Sequence, residues 1–480
     1  MAFKIGDRYQ QTFFPPVIDD YVSPQDPVRV YDAFVDALDP HQLDLCLIPK
    51  AGAERYDPIR MIKLLIYSYS YGLRSSRHIE RACYHNISYI WLMGDLKPDY
   101  RTIARFRSEH KDIIKKILKQ CVRMCVNMGL VDGNTLFIDG SKLRADTSLN
   151  NTLSRERVEK ELKKIEDHIE QLIKECEYKD QEESGQPSLV ETQEKIISQE
   201  RLAERMKQCL SKINAENLSS VNTVDPDCVI AKSRQGTHAV HNVQCVTDNK
   251  HGLIVQADTI GQPNDNNQLL PQMKQAEENI GRKPEIVCAD AGYFNPKETK
   301  NIDPAITVIM PSPKQAHEDK ATVKTVPDPF DKVNFQYDKE HEEYICPGGK
   351  RLVNKGVDIE HPHKHIYQAK SSDCMKCSHW GACTTAKHGR KIIRSEYEDI
   401  IKRQEEIYKS VRGQEIYKLR KQRSEHPFGH IKQNLHVGHF LLRGREKVNA
   451  EISMLATCFN IARMMTIIGI TKLITDLKAI

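Results

Sequence analysis

The sequence lacks a long uninterrupted run of apolar residues. Its first residues, MAFKIGDRYQQTFFPP, have no apolar core of the kind found in secretion signals. The most apolar stretch, from Ile452 to Ile474, is interrupted by Arg463 and Lys472, so it predicts a buried helix rather than a membrane span. These absences predict a cytoplasmic protein with no membrane partner.

The sequence also lacks a strong excess of charge of either sign. Among 480 residues, 71 Lys and Arg face 66 Asp and Glu, which leaves a net charge of +5. On charge alone the chain is an ordinary soluble protein, and any contact with nucleic acid must come from local basic patches. Its length allows several domains, and an apolar content of 39% supports a packed core.

Cysteine is not scarce, but most of the 14 cysteines stand alone in apolar segments. Without a secretion signal, such cysteines are typical of reduced core residues in a cytosolic protein. The single cysteines in apolar segments are Cys46, Cys83, Cys245, Cys288 and Cys458.

Residues 1–128 predict an N-terminal helical domain. The pair Asp57-Pro58 opens one of its helices, because proline is tolerated in a first helical turn. Arg101 and Arg105 lie one turn apart, with Arg107 nearby. This pattern indicates either a DNA-binding domain, with the helix-turn-helix as a candidate type, or a solvated basic face.

From Asn134 onward, short apolar or alternating runs predict the strands of an α/β domain. The predicted order is a strand, an antiparallel hairpin, a helix, a strand, a helix and a strand, which makes a mixed five-stranded sheet with flanking helices. This core covers residues 129–152 and 220–312, and the helices at 395–480 complete it. The predicted strands are TLFIDGS, HNVQCVTD, LIVQADT, EIVCAD and AITVIM.

Residues 153–219 interrupt this core with apolar residues at alternating spacings of four and three. Two such stretches on either side of the polar break EESGQPS predict an antiparallel helical hairpin. A purely structural arm is the simple interpretation, and an arm that dimerises or clasps DNA is the alternative. The seam residues are Val158, Leu162, Ile165, Ile169, Leu172, Cys176, Leu202, Met206, Cys209 and Ile213.

A second, polar segment at 313–394 contains two cysteines two residues apart and two further thiols. Four cysteines fit a tetrahedral zinc site, which would explain how a segment with little core stays folded. Simple loop cysteines remain an open alternative, as do His379 and His388 as substitute ligands. The four cysteines are Cys346, Cys374, Cys377 and Cys383.

Three acidic residues lie beside elements that define the fold. Asp139 and Asp290 each end an apolar strand, and Glu425 lies seven positions before Lys432 in a helical segment at 395–480. Carboxylates at strand ends are costly to desolvate unless a cation balances them. Hard cations such as Mg²⁺ bind few carboxylates and take water and phosphate as their other ligands. The three acids therefore predict a site for phosphodiester chemistry.

The segment around Glu425 is compatible with this chemistry. With Ser424 as the helix cap, Glu425 falls at the first helical position and Pro427 at the third. Glu425 and Lys432 then share a helix face, and so do Tyr417 and Arg420 upstream. An ordinary salt-bridged helix pair is the alternative, but the two aspartates favour a site for metal and phosphate.

These motifs resemble those of bacterial insertion-sequence transposases of the DDE type. The resemblance rests on DGS and ADAGY after their strands, the Tyr/Arg/Glu/Lys string, FFPP with YDPIRMIKLLIYSYSYG, and the cysteine segment, and it covers nearly the whole chain. It implies an RNase H-like core. It makes Asp139, Asp290 and Glu425 the metal-binding triad. The signature residues at the transposon end become Tyr417, Arg420 and Lys432.

One spacing departs from the family pattern. The strict signature has three residues between arginine and glutamate, whereas four separate Arg420 from Glu425, so Lys421 is a rival to Arg420. A tyrosine-recombinase role for Tyr417 is rejected, because no matching His and Arg partners surround it.

The resemblance implies two Mg²⁺ (or Mn²⁺) ions about 3.5–4 Å apart. It implies cleavage at the transposon ends, followed by transfer of the 3′-hydroxyl to target DNA. Double-stranded DNA and a second copy of the chain in the synaptic complex become the expected partners, in a bacterial, nucleoid-associated setting. Two alternatives are a cleavage-inactive DNA-binding descendant and a structure-selective nuclease of the same fold.

Four other acids have secondary roles in this interpretation. Asp146 is expected beyond the strand, and Asp258 and Asp265 are expected to support the site from behind. Glu451 is expected to anchor an arginine or lysine.

Overall fold

A computed structural model describes residues 17–45, 55–181, 186–233, 236–319 and 328–480, with the backbone alone for 177–181, 186–189 and 233. The initial segment 1–16, Cys46 and the first four residues of the polar break, 182–185, lie outside the described residues. The chain divides into two compact units. One comprises Met1–Asp265, Pro271–Pro284 and Arg420–Ile480, and the other comprises Asn266–Leu270 and Glu285–Leu419.

Among the described residues, six α-helices open the first unit. The second begins at Pro58, where the Asp57 side chain accepts a backbone amide hydrogen bond, as the sequence predicts. This helix is buried on most sides, so its Lys63 is nearly buried and pairs with Asp32 and Asp36 at 2.6 and 2.7 Å. The bounds are α1 Val28–Asp36, α2 Pro58–Ser70, α3 Ser76–His85, α4 Ile87–Met93, α5 Tyr100–Glu109 and α6 Lys111–Asn127.

A strand and a helical arm follow. The strand is β1 Thr135–Arg144, and the arm consists of β2 Thr152–Ser154, α7 Arg155–Gln181, α8 Gln186–Glu216 and β3 Ser220–Asn222. The two helices pack through a separate apolar core that includes Val158, Ile165, Met206 and Cys209. The short strands β2 and β3 pair antiparallel at its base, so the arm leaves and re-enters the fold at one place.

Three more strands complete the sheet of the first unit, and they are β4 Val229–Ser233, β5 Gly236–Asp248 and β6 Ile254–Ile260. The long strand β5 pairs antiparallel with β1, β4 and β6. The β5–β6 turn contains Lys250 and His251 and closes at Gly252, whose φ of +67° suits glycine. This is the hairpin that the sequence predicts. Helix α9 spans Leu269–Ile280.

The second unit contains a parallel strand pair and a separate antiparallel sheet. The pair is β7 Ile286–Cys288 and β8 Thr307–Ile309, with α10 Pro296–Thr299 between them and α11 Pro313–Glu318 after them. The sheet has the order β13-β12-β11-β10-β9. Its elements are β9 Gln336–Asp338, β10 Glu343–Ile345, β11 Arg351–Val357, β12 Lys364–Ala369, α12 Ser371–Met375 and β13 Lys391–Ser395. The sequence did not predict these five strands.

The charged segment that follows forms two helices, α13 Glu398–Lys409 and α14 Val411–Gln433. The Ser410 hydroxyl accepts a hydrogen bond from the Gly413 amide at 3.0 Å and so caps α14. A Cβ atom on Gly413 would collide with the carbonyl oxygen of Ile407, so the close approach of the two helices requires glycine.

The last two helices are α15 Arg445–Ile468 and α16 Ile470–Lys478, separated at Gly469. By length and composition α15 could cross a membrane, but 67% of its most apolar window is buried within the protein. It packs against α2, α6 and β6, and its buried Glu451 pairs with Arg74 at 2.6 Å. The apolar stretch from Ile452 to Ile474 is therefore not a single helix, because it is broken at Gly469, but most of it lies in the core helix α15. The α/β class is confirmed.

Candidate active site and cysteine cluster

Asp139 lies in the middle of β1 rather than at its end. The expectation that it ends the strand is wrong, because Gly140 and Ser141 stay paired with β5 and the strand continues to Arg144. Successive side chains of a strand alternate between faces, so Asp139 and Ser141 share a face. The partner of Asp139 on β5 is the buried Cys245.

Two residues of α14 contact the Asp139 carboxylate. The Ser424 hydroxyl lies 2.9 Å from Oδ2, and the Arg420 Nη1 atom lies 3.4 Å from the same oxygen. The side chains of Asp139 and Arg420 are only 13% and 15% exposed, so the pair is partly shielded from water. Ser424 lies equally close to the Arg420 carbonyl oxygen, at 2.8 Å, and its single proton can serve one acceptor at a time.

Lys432 extends this polar cluster along β1. Its Nζ atom donates a hydrogen bond to the Ser141 hydroxyl at 2.7 Å. Burial lowers the pKa of Lys432, and the nearby Asp139 carboxylate opposes that shift. Arg420 and Lys432 thus place two cations beside one carboxylate.

Glu425 lies on the same helix and in the same unit as Ser424, but it is exposed. Its predicted place in a first helical turn is wrong, because α14 runs without a break from Val411 through Pro427 to Gln433. An interior proline removes one backbone donor and its ring crowds the carbonyl four residues earlier, and α14 is long enough to continue on both sides of Pro427. Within the described part of the chain, Glu425 has no ion pair.

Asp290 and Tyr417 belong to the second unit. Asp290 follows β7 by two residues, as predicted, and its side chain accepts the Gly292 amide hydrogen bond at 2.8 Å. Tyr417 packs edge-on against Tyr408, with the ring centres 5.0 Å apart. The structure therefore brings together Asp139, Arg420 and Lys432 in the first unit.

Of the three residues brought together, Asp139 offers the kind of oxygen ligand that a hard divalent cation prefers, whereas the cationic Arg420 and Lys432 cannot ligate a metal. Carboxylate oxygens of Asp and Glu are the protein ligands that Mg²⁺ prefers, and Asp139 already lies where positive charge compensates it. Across the residues that the structure describes, no three His, Cys, Asp or Glu side chains are close enough together to hold a metal ion.

The roles of two serines were not predicted from the sequence. Ser141 contacts Lys432, and Ser424, which was expected to be a helix cap, contacts Asp139. Ser141 lies two residues after Asp139 in a strand, and Ser424 lies four residues after Arg420 in a helix. Each spacing places the serine on the same face as the earlier residue, so the sequence contained a signal for both contacts.

The other acids have separate partners. Asp146 pairs with Arg443 at 3.0 Å, and Asp258 accepts hydrogen bonds from two glutamines of α9. Asp265 accepts hydrogen bonds from Asn242 and Gln244. It approaches the position of Gly140 so closely that a Cβ atom there would be 2.6 Å from its Oδ1. Asp265 therefore lies behind β1, on the face opposite Asp139.

Two of the three N-terminal arginines remain exposed. Arg101 and Arg105 lie one turn apart at the surface of α5. Arg107 is buried and donates hydrogen bonds to the Tyr69 hydroxyl and the Arg74 carbonyl, so it belongs to the core.

The four cysteines of the second unit lie near one another. Three of the sulfurs accept backbone amide hydrogen bonds: Cys346 from Lys350 (3.2 Å), Cys374 from Arg390 (3.4 Å) and Cys377 from His379 (3.5 Å). A Cβ atom at Gly348 would lie 3.7 Å from the Cys346 sulfur and 3.6 Å from that of Cys377.

Cys383 completes the group. It packs with Cys346 and Cys374 against the apolar core of the β9–β13 sheet. Burial raises the pKa of the Cys383 thiol, and the three other thiols add to that shift. The four sulfurs are therefore within electrostatic range of one another.

Two family models match the chain. A transposase domain family (DUF772) matches residues 16–109, which include α1 to α5. A transposase DDE domain family matches residues 345–465, which include the cysteine cluster, α14 and most of α15. No match was found among curated proteins, and none among solved structures.

Proposed function

Since the chain belongs to the DDE-type insertion-sequence transposases, we propose that it binds transposon ends and catalyses metal-dependent cleavage and transfer of their DNA strands. We further propose an RNase H-like catalytic core. The antiparallel strands β1, β5 and β6 of the first unit and the parallel pair β7–β8 of the second unit support it, because such a core needs both antiparallel and parallel strands.

The contact between β1 and α14 is the observation that carries this proposal. Ser424 and Arg420 hold the Asp139 carboxylate, and Glu425 is the residue next to Ser424 on the same helix. A half-buried acid, an exposed acid and two cations therefore occupy two adjoining elements. A salt-bridged structural helix would pair Glu425 as well, and Glu425 has no ion pair among the described residues.

Each residue has a defined role in this mechanism. Asp139, Asp290 and Glu425 would hold Mg²⁺ or Mn²⁺. When bound, two such ions supply an activated water or 3′-hydroxyl and stabilise the departing oxygen. Arg420 and Lys432 compensate the charge of substrate phosphates, and Tyr417 contacts the DNA. Ser424 orients one carboxylate oxygen of Asp139.

Single substitutions of the three acids test the function. Asp139→Asn, Asp290→Asn and Glu425→Gln remove one charge each and keep the side-chain size. We expect each to abolish Mg²⁺-dependent cleavage and strand transfer on DNA that carries the terminal inverted repeats. Binding to the same DNA, measured without metal, should persist.

Asp146→Asn is the matched control, because it removes a carboxylate that pairs only with the surface residue Arg443 among described side chains. It should leave cleavage intact. Cleavage retained by any purified triad variant contradicts the triad. A wild-type protein that binds ends without cutting is a binding descendant, and one that cuts without end specificity or joining is a nuclease.

We propose a structural Zn²⁺ ion for the cysteine cluster. Cys346, Cys374, Cys377 and Cys383 would supply four thiolates, the ligand set of tetrahedral zinc sites, after drawing closer together than they lie in this structure. The amide hydrogen bonds to three of these sulfurs are favourable for thiolates, since they compensate negative charge on sulfur. The small core of the β9–β13 sheet gives the ion a role in folding.

Metal analysis of the purified chain tests the zinc proposal. We expect about one zinc per chain, lost in Cys374→Ser with Cys377→Ser. The control Cys228→Ser changes a half-buried thiol outside the cluster and should keep the ion. Retention of zinc in His379→Ala and His388→Ala would support the four-cysteine set. The zinc proposal would be overturned by a wild-type protein that contains no zinc, or by a double serine variant that still contains it.

We also propose a DNA-bound dimer in the bacterial cytoplasm, associated with the nucleoid. Two transposon ends must be joined in one event, so a second copy of the chain is the simplest partner. The exposed Arg101 and Arg105 of α5 support DNA contact by the N-terminal helices.

A further inference from the structure

Helix α14 carries a second polar surface on the side opposite its contact with β1. Arg423, His426 and His430 follow one another at spacings of three and four, so they share one face of the helix. At 100° per residue, that face points away from the one that presents Ser424 and Lys432. We call the group formed by Lys250, His251, Arg423, His426, His430 and Arg463 the basic surface.

Contacts within the first unit hold the basic surface together. Arg463 of α15 donates a hydrogen bond to the His251 carbonyl in the β5–β6 turn at 3.0 Å. The rings of His426 and His430 meet the buried Phe459 ring edge-on, with centres 5.7 and 5.3 Å apart. These side chains therefore come from three elements and are positioned before any ligand arrives.

The Arg423 side chain closes the gap between α14 and the turn. Its Cδ atom would lie 3.7 Å from a Cβ atom at Gly252. Its Nε atom is buried and finds no hydrogen-bond acceptor among the described residues. Because this atom is shielded from solvent, a ligand could meet Arg423 only through the outer nitrogens of its guanidinium group.

No carboxylate pairs with any member of the basic surface within the described residues. Lys250, Arg423 and Arg463 carry permanent charge, and their proximity lowers the pKa of His251, after the larger effect of burial. Burial and Arg463 lower the pKa of His426, and burial, His426 and Arg463 lower that of His430. Asp132 is the acid that acts in the opposite direction on His251.

We propose that the basic surface binds the phosphate backbone of double-stranded DNA outside the cleavage site. Positive groups without acidic partners, fixed on a rigid scaffold, match a polyanion of regular charge spacing. This inference rests on the proposed function for the identity of the polyanion. It adds a contact surface separate from Tyr417, Arg420 and Lys432.

The test compares two double variants of the full chain without metal ions. Arg423→Gln with Arg463→Gln removes two charges from the basic surface. Lys472→Gln with Lys478→Gln removes two from the exposed side of α16. Binding to a duplex without terminal repeats is measured by fluorescence anisotropy between 50 and 200 mM salt, and thermal unfolding checks the fold of each variant.

We expect the basic-surface variant to bind at least ten-fold more weakly at low salt. The logarithm of its association constant for DNA should depend less steeply on the logarithm of the salt concentration. The slope should shrink in magnitude by about 2, since each lost phosphate contact contributes about 0.9. The α16 variant should match the wild type. Equal slopes for all three proteins overturn the inference, as does a loss of binding to phosphatidylserine vesicles but not to DNA. Cleavage of DNA that carries the terminal repeats is measured separately for the wild type. Absence of this cleavage would contradict the proposed function and leave the basic-surface inference standing.

Discussion

Asp139 is a carboxylate whose charge the fold itself compensates. Arg420 and Ser424 contact one of its oxygens, and Lys432 lies beside it through Ser141. Such compensation offsets part of the cost of placing a carboxylate in a half-buried position. Cations that balance the acid in the free protein are also suitably placed to meet the phosphate of a substrate.

The contact with Asp139 leads to a prediction about the two rival basic residues. Arg420→Gln should lower DNA cleavage by about 10- to 100-fold, because a charged hydrogen bond contributes roughly 1.5–3 kcal/mol. Lys421→Gln should change it less than about three-fold, since Lys421 is exposed and makes no ion pair among the described residues. Single-turnover cleavage of a pre-bound end measures both. The reverse order of effects would show that the strict spacing applies.

The sequence could not decide between these two residues. Spacing along the chain left Arg420 one residue away from the family pattern, and only the helix rotation of about 100° per residue separates their directions. The uninterrupted course of α14 through Pro427 sets which residue faces β1. A proline after a Ser-Glu-His run suggested a helix start instead, and that local signal was misleading.

At the scale of elements, the helical arm is a unit of its own. Its seam residues pack with one another, and β2 and β3 pair at its base through Ser154 and Ser220. The heptad spacing predicted this hairpin, because the apolar seam recurs with a helical period over many turns. The β9–β13 strands carried no comparable signal, since they are short and many of their side chains are exposed.

Excision of the arm is predicted to leave the rest of the chain folded. A variant that replaces residues 155–219 by an Asn-Gly turn between Ser154 and Ser220 keeps the β2–β3 pair. Its thermal midpoint should stay within a few degrees of the wild type, while circular dichroism loses the signal of two long helices. A matched variant, Val158→Asp in the intact arm, buries a charge in the same small core and should melt the arm alone. Loss of all structure on excision would show that the arm stabilises the sheet.

On the scale of the whole molecule, two aspartates of the first unit should make its stability depend on pH. Burial raises the pKa of Asp258 to about 6, with hydrogen bonds from Gln272 and Gln275 opposing the shift. Burial also raises the pKa of Asp248 to about 6, against amide hydrogen bonds from Gly133 and Lys250. Both acids bind a proton more tightly in the folded than in the unfolded chain. Their contribution to stability is therefore complete below pH 4 and is lost as the pH rises through 6.

Asp258→Asn should reduce this loss of stability at high pH. The amide keeps the side-chain size, needs no charge, and retains an acceptor for Gln272. At pH 8 we expect the free energy of unfolding to rise by roughly 1–3 kcal/mol, since one pKa unit corresponds to about 1.4 kcal/mol and Asp258 is partly exposed. At pH 4.5 the variant and the wild type should differ little, because the acid is then largely protonated when folded. Urea unfolding at the two pH values measures the difference, with Asp146→Asn as a surface control. A gain of equal size at both pH values would assign the effect to packing instead of charge.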